Sequence, residues 1–441
     1  MDPIPFIHDF SLTDAPTPVV ERAKMSLLDL LGIAIGAEDT RLAHIIADHA
    51  SEEFAGPIAM LFDGRTASAT GVSLAAGMRI DALDGHDGFN PSKGHIGCSL
   101  FATILPVAIE QDSSGHDVLA ALLMGYEFGS RAAMAQHGTV DDFHTSGSWG
   151  AVACAAAAAR LMRLDHESTR HALGIAEYHG PRSQMMRCID YPTMLKDGTG
   201  WGAMTGVSAA KLARSGFTGA PSLIVEQADS YWADLGEKWY MLDQYYKPYP
   251  VCRWAQAPIE AALSLRSAHN LHPSQIASID ITTLHESSRL ACNEPTTTEE
   301  AQYSTSFPTA IALVYGDITA ASLKDSALNN PEVKRLSKAI TMHEDAHCNA
   351  AFPLKRYAKV DITLTDGQRV SSDWHQPKWD HTAPPSATDI SAKFHSLAEG
   401  KIGTARANHI ETLVWSFETR AFADLAALIC APIAQPDPTL Q

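Results

Sequence analysis

The hydrophobic pattern of this chain changes period twice, which constrains the fold more than any single motif. From Val20 to Ile33 apolar side chains recur at helical spacing, with Thr17-Pro18 read as N-cap and first helical position and Gly36 as the stop. The same period runs from Val118 to Met134 and from Gly150 to Leu164, where Ala155 to Ala159 is unbroken alanine. After about residue 270 the pattern alternates around Ile276, Ile279 and Ile281, and again where Val360, Ile362 and Leu364 interleave with Asp361, Thr363 and Thr365. Asp366-Gly367 then predicts a two-residue hairpin turn. Helical patterns at 308–314 and 331–340 lie between these strands, and helical period returns over 390–397 and 410–429. The expected fold is mainly α: a large all-helical domain built from both chain ends, 1–254 and 396–441, plus a smaller α+β domain over 255–395.

A glycine cluster offers a competing reading. Gly198, Gly200, Gly202 and Gly206 lie among alanines, but Ala203 stands where a G-x-G-x-x-G loop needs its third glycine, and no strand precedes them. Close helix packing is the expected role. With 45% hydrophobic and 19% charged residues, the composition excludes a disordered chain. The balance of 33 Lys+Arg against 51 Asp+Glu, formally −18, argues against nucleic acid and anionic membrane as partners, since both are held by clustered cations. A small anionic substrate remains compatible if a local basic pocket receives it. The apolar stretch from Ala151 stops at Arg160, short of the roughly twenty residues of a membrane span. The first ten residues lack a basic region followed by an apolar one, and the seven cysteines are odd in number with no C-x-x-C pair. A cytoplasmic protein with reduced thiols is the expectation.

Several segments concentrate groups that could carry chemistry. Ala82 to Gly97 gathers Asp84, His86, Asp87 and His95 among glycines and proline, either as a catalytic loop on a helical frame or as a solvated connection. His144 stands just before the small-residue helix, as a ligand for an anion at that helix terminus or as a capping-loop histidine. Lys196 holds the equivalent place before the glycine-rich helix. It is a pocket base, a carboxylate holder, or a surface residue. Lys247 and Arg253 flank the rigid Pro248-Tyr249-Pro250, a pair of carboxylate holders or a linker. His343-Glu344-Asp345-Ala346-His347 satisfies the zinc motif H-E-x-x-H, but Asp345 charges the would-be helix and no third ligand follows, so it reads as a solvated surface turn and no metal is expected.

Taken in order, ALDGHDGFNP with its following GH, FHTSGSWGAVACAAAAARLMRLD, MLKDGTGWGAMTGVSAAKLARSGFTG, YKPYPVCR, AQYSTSFP and KFHSLAEG resemble the MmgE/PrpD family along nearly the whole chain. The resemblance implies a cytoplasmic, homodimeric, cofactor-free enzyme acting on a small polycarboxylate. Family activities include 2-methylcitrate dehydration, cis-aconitate decarboxylation and iminodisuccinate epimerisation. It also implies catalytic roles for Asp84, His95, His144 and Lys196. Three positions depart from the decarboxylase pattern: Gln256 stands for a histidine, Phe307 for a tyrosine and Gly88 for a threonine. Glutamine and phenylalanine cannot usefully donate a proton to a carbanion or a departing hydroxide. The expectation is therefore an epimerase of iminodisuccinate type, with Lys196 and His144 moving protons and Arg253 and Lys247 holding carboxylates. A 2-methylcitrate dehydratase-like lyase is the alternative.

Overall fold

A computed structural model describes residues 2–290 and 292–433. The chain is mainly helical. Long helices carry the first half: α1 (Thr17–Gly36), α2 (Ala69–Asp81), α3 (Gly97–Glu110), α4 (Gly115–Thr139), α5 (Ser146–Leu161) and α6 (Thr199–Arg214). Helix α1 begins at Thr17 itself, with Pro16 in the cap position. One hydrophobic core runs from Phe6 to Tyr246 and resumes from Ile390 to Ile433. In that returning segment Thr404–Trp415 and Phe422–Ile429 are separate helices, divided by a tight turn over Phe417–Thr419, where one periodic run was expected.

The small residues of α5 and α6 serve close packing. A Cβ on Gly202 would stand 2.5 Å from the Gly147 carbonyl oxygen, and one on Gly77 would stand 2.6 Å from the Gly200 Cα. Backbones at that separation admit only glycine, so α2, α5 and α6 lie against one another with their N-terminal or C-terminal ends converging. That convergence positions the site described below.

A second core spans Tyr249 to Val370. It is covered by α7 (Gln256–His269), α8 (Ser306–Tyr315) and α9 (Pro331–Lys338), packed on a four-stranded sheet. Besides the short pair β1 (Gly88–Phe89) and β2 (Gln244–Tyr245) in the helical part, this sheet holds β3 (Ile276–Thr283), β4 (Ile340–Glu344), β5 (Ala358–Leu364) and β6 (Arg369–Ser371), in the order β4-β3-β5-β6. β3 runs parallel to β4 and antiparallel to β5, with Ile279 opposite Ile362 and Ile281 opposite Val360. These β-branched pairs fit a half-buried pleated surface. The β5–β6 turn is one residue longer than expected. The Leu364 amide donates to the Gln368 carbonyl at 2.8 Å, leaving Thr365, Asp366 and Gly367 in the loop, with Gly367 at φ +89°. Ile340 opens β4, whereas the sequence pattern ran the preceding helix through it. Residues 1, 291 and 434–441, which the expected division includes, lie outside the described residues.

Candidate active site

The loop from Ala82 to Ile96 leaves the C-terminus of α2 through a turn in which the Asp84 amide donates to the Asp81 carbonyl. Asp84 takes a left-handed conformation, φ +47°, which aspartate tolerates better than most residues. This turns its carboxylate onto Lys247, whose Nζ donates to Asp84 Oδ1 at 2.6 Å and to the Asp84 carbonyl at 2.7 Å. Burial works against the Lys247 charge, but the charge on Asp84 outweighs it and the lysine is held above its ordinary range.

His95 Nε2 lies 3.6 Å from the same Asp84 Oδ1. Its Nδ1 is 2.6 Å from the Asp87 carbonyl, which can only accept, so Nδ1 carries the proton. Burial and the charge on Lys247 push the imidazole well below its usual range. His95 is therefore a neutral ring with a lone pair on Nε2. His86 packs edge-on against it, ring centroids 4.5 Å apart, and reaches Asp81 Oδ1 at 3.3 Å.

Lys196 enters from the other side. It is buried, in left-handed conformation at φ +50°, and donates from Nζ to Gln302 Oε1 at 2.5 Å. The ammonium also sits 4.9 Å from the ring centroid of Tyr303. Its neighbour Asp197 accepts from Ser146 Oγ at 2.6 Å, and its amide donates to Asp81 Oδ2 at 3.3 Å. Burial, then the charge on Asp81, push the Asp197 carboxyl up to about 7. Ser146 Oγ also accepts from the His95 amide at 2.9 Å, so one hydroxyl ties the N-terminus of α5 to both loops.

The structure thus brings Asp84, His95 and Lys247 into direct contact, with Lys196 joined to them through Asp197, Asp81 and Ser146. His144 is less integrated. Its Nδ1 donates to the Asp142 carbonyl at 2.8 Å, which leaves Nε2 as the acceptor. Among the described residues no hydrogen bond joins its ring to Lys196, Asp84 or His95. It is placed by the chain, two residues before Ser146. Arg253 is buried, with Nη1 on the Tyr246 and Lys378 carbonyls and Nη2 on Asp380 Oδ2 at 2.9 Å.

Sequence reasoning missed several of these groups. Gln302 and Tyr303 lie in the same short segment as Phe307, just before its helix, and Asp197 adjoins Lys196, so proximity was the available signal. Tyr245 lies two residues before Lys247, and its pairing explains Gly88. Gly88 faces Tyr245 across the β1–β2 ladder, and a Cβ there would stand 2.5 Å from Tyr245 Oη and 2.8 Å from His95 Nδ1. The Tyr245 ring fills the space a threonine side chain would need. Gly88→Ala is expected to displace Tyr245 or His95 and lower kcat at least about tenfold, as overpacking in a closed site does. Unchanged steady-state kinetics would show that the loop absorbs the methyl group.

Two metal readings are testable on donor chemistry. Asp81, Asp84 and His86 have ligand atoms within 4.8 Å of one another. Those atoms are already engaged: Lys247 holds Asp84 Oδ1, while His86 and Thr199 hold the two oxygens of Asp81. A cation there would face the Lys247 ammonium. The H-E-x-x-H segment is at the surface, as expected, but as a strand end and a short helix in place of a turn. His343 and Glu344 end β4, while His347 belongs to Ala346–Ala351, so the two histidines do not share a helical face. His343 pairs instead with Asp280 at 2.8 Å and Glu344 with His285 at 2.8 Å.

The sequence profile of the MmgE/PrpD N-terminal domain matches residues 5–238, and that of the MmgE/PrpD C-terminal domain matches residues 249–419. The chain belongs to the MmgE/PrpD family. Its relatives include a cis-aconitate decarboxylase-like protein, oryM, of Aspergillus oryzae, 24% identical with 96% of this chain and 95% of that protein covered. The cis-aconitate decarboxylase of Homo sapiens is 24% identical over 89% of this chain and 86% of its own length. That of Aspergillus terreus is 24% identical over 96% and 94%. As in other members of the MmgE/PrpD family, the expected substrate is a small polycarboxylate.

Proposed function

We propose that this MmgE/PrpD protein is a cofactor-independent epimerase that interconverts stereoisomers of a small amino-polycarboxylate of iminodisuccinate type. The observation that carries the reading is the fate of two positions. Gln256 spends its amide nitrogen on the Tyr249 and Val251 carbonyls, both at 3.1 Å, and Phe307 is buried in the apolar second core. Neither can protonate a carbanion. Epimerisation also ends by protonating a carbanion, so it uses other groups: a base takes the proton from the carbon next to a carboxylate, the electron pair moves into that carboxylate as an enediolate, and an acid returns a proton on the opposite face. Lys196 and His144 are the proposed proton-transfer pair, with the lone pair of His144 Nε2 suited to the base. Asp84 and His95 support them, and Lys247 and Arg253 hold carboxylates. The proposal extends to a cytoplasmic homodimer, in keeping with cysteines that are all free thiols.

One observation favours the dehydratase-like lyase alternative: the Tyr303 phenol lies beside Lys196, four residues before Phe307, and could supply an acid. Incubation in heavy water with iminodisuccinate and, separately, with 2-methylcitrate separates the readings. Loss of the α-proton signal with interconversion of stereoisomers is the expected result. New alkene signals from 2-methylcitrate, with no exchange into iminodisuccinate, would establish the lyase instead.

A further inference from the structure

Three buried cations meet at the seam between the helical part and the α+β part, and one of them has no carboxylate in contact. Three cations surround Tyr245. Lys247 is paired with Asp84, and Arg253 with Asp380. The third, Arg356, is 3% exposed and makes no ion pair among the described residues. Its Nη1 donates to Asn90 Oδ1 and to the Pro353 carbonyl, both neutral acceptors. Asp380 and Glu286 act on it only at longer range, and a buried charge without a carboxylate in contact is costly unless a bound group supplies the opposite sign.

The hydrogen-bonding inventory agrees. Arg253 Nε and Arg356 Nε are both buried with no partner. The two guanidiniums lie 4.1 Å and 6.0 Å from the Tyr245 ring centroid. Asn90, from the catalytic loop, bridges them: its Oδ1 accepts from Arg356 and its Nδ2 donates to Asp380 Oδ2, the partner of Arg253. Burial lowers the Arg356 pKa and pushes that of Arg253 down to about 10, the direction that an arriving anion would reverse.

We propose that Arg356 and Arg253 form a carboxylate clamp for a second acidic group of the substrate, separate from the carboxylate that becomes the enediolate. The clamp makes a dicarboxylate the smallest ligand the site holds well. It rests on the polycarboxylate reading of the site, and it adds Arg356, which no motif singled out. The clamp lies on the same side of the chain as the reacting groups, because the Cys252 amide, next to Arg253, donates to the carbonyl of Gln302, whose side chain holds Lys196. Since these groups are buried, a ligand reaches them when the seam parts, as at other sites between packed units.

The test is calorimetric titration of the full-length protein with succinate, succinamate and propionate. Succinate is expected to bind at least about tenfold tighter than succinamate, which differs by one amide, or propionate, which lacks the second acid, because a desolvated guanidinium distinguishes charge from shape. Arg356→Met should erase that preference while leaving propionate affinity in place, and Arg356→Lys should retain part of it. A merely structural arginine would lower the melting temperature without touching the succinate-to-propionate ratio. Equal binding of succinate and succinamate by the unsubstituted protein overturns the clamp, as does an Arg356→Met variant with native circular dichroism and an intact preference. If that variant does not fold, the ligand series on the unsubstituted protein still decides. Failure of the heavy-water exchange with a succinate preference intact would remove the epimerase and leave the clamp.

Discussion

Lys196→Ala is expected to lower kcat by at least about a hundredfold, the usual loss when a proton-transfer group is removed. The size of the effect follows from where the ammonium sits. It is buried, its one hydrogen-bond partner is the neutral Gln302 amide oxygen, and its other contact is the Tyr303 ring. Among the described residues no carboxylate is hydrogen-bonded to it, so an arriving substrate carboxylate displaces none. The fold should survive, because the loop turns on backbone hydrogen bonds such as that from the Lys196 amide to the Thr193 carbonyl. His144→Ala should cost a comparable factor if its Nε2 is the second group. Steady-state kinetics with circular dichroism on the same samples checks both, and full activity in either variant removes that residue from the mechanism.

Asp84→Asn is expected to destabilise the protein by about 3–5 kcal/mol, the range for breaking a buried ion pair by removing one partner. Lys247 and Asp84 have almost no exposure, with side chains 0% and 3% accessible. Asparagine keeps the left-handed conformation that Asp84 adopts, so the loss reports charge and not backbone strain. Adding Lys247→Met should recover much of the loss, since the pair is then replaced rather than broken. Urea unfolding of the two single variants and the double variant closes the cycle. Additive losses would mean that the pair contributes no mutual stabilisation.

Much of the architecture was legible because periodicity reports burial directly. The switch from helical to alternating period placed β3 and β5, and small residues marked α5 and α6. Errors fell where local rules compete. Ile340 fits either a helix end or a strand start, and only the parallel pairing of Ile340 with Ile279 decides for the strand. The Asp366-Gly367 turn gained a residue because the ladder register, not the dipeptide, sets loop length. At the candidate site, residues flanked by glycine, proline or small-residue helices stood out, which is why Asp84, His95, Lys196 and Lys247 were candidates before the structure placed Asp84 against His95 and Lys247. Arg356 was not, because nothing in its neighbourhood distinguishes it from a surface arginine.

The sequence alone determined the family and the presence of a helical unit interrupted by an α+β unit. It also placed glutamine at 256 and phenylalanine at 307, side chains that cannot usefully donate a proton. These are properties of single positions and of local repeats. The tertiary structure decided which cations have partners. Lys247 meets Asp84 across 163 positions of sequence, and Asn90 meets Arg356 across 266. Whether a buried charge is paired depends on groups distant in the chain, so no local pattern could show that Arg356 makes no ion pair among the described residues.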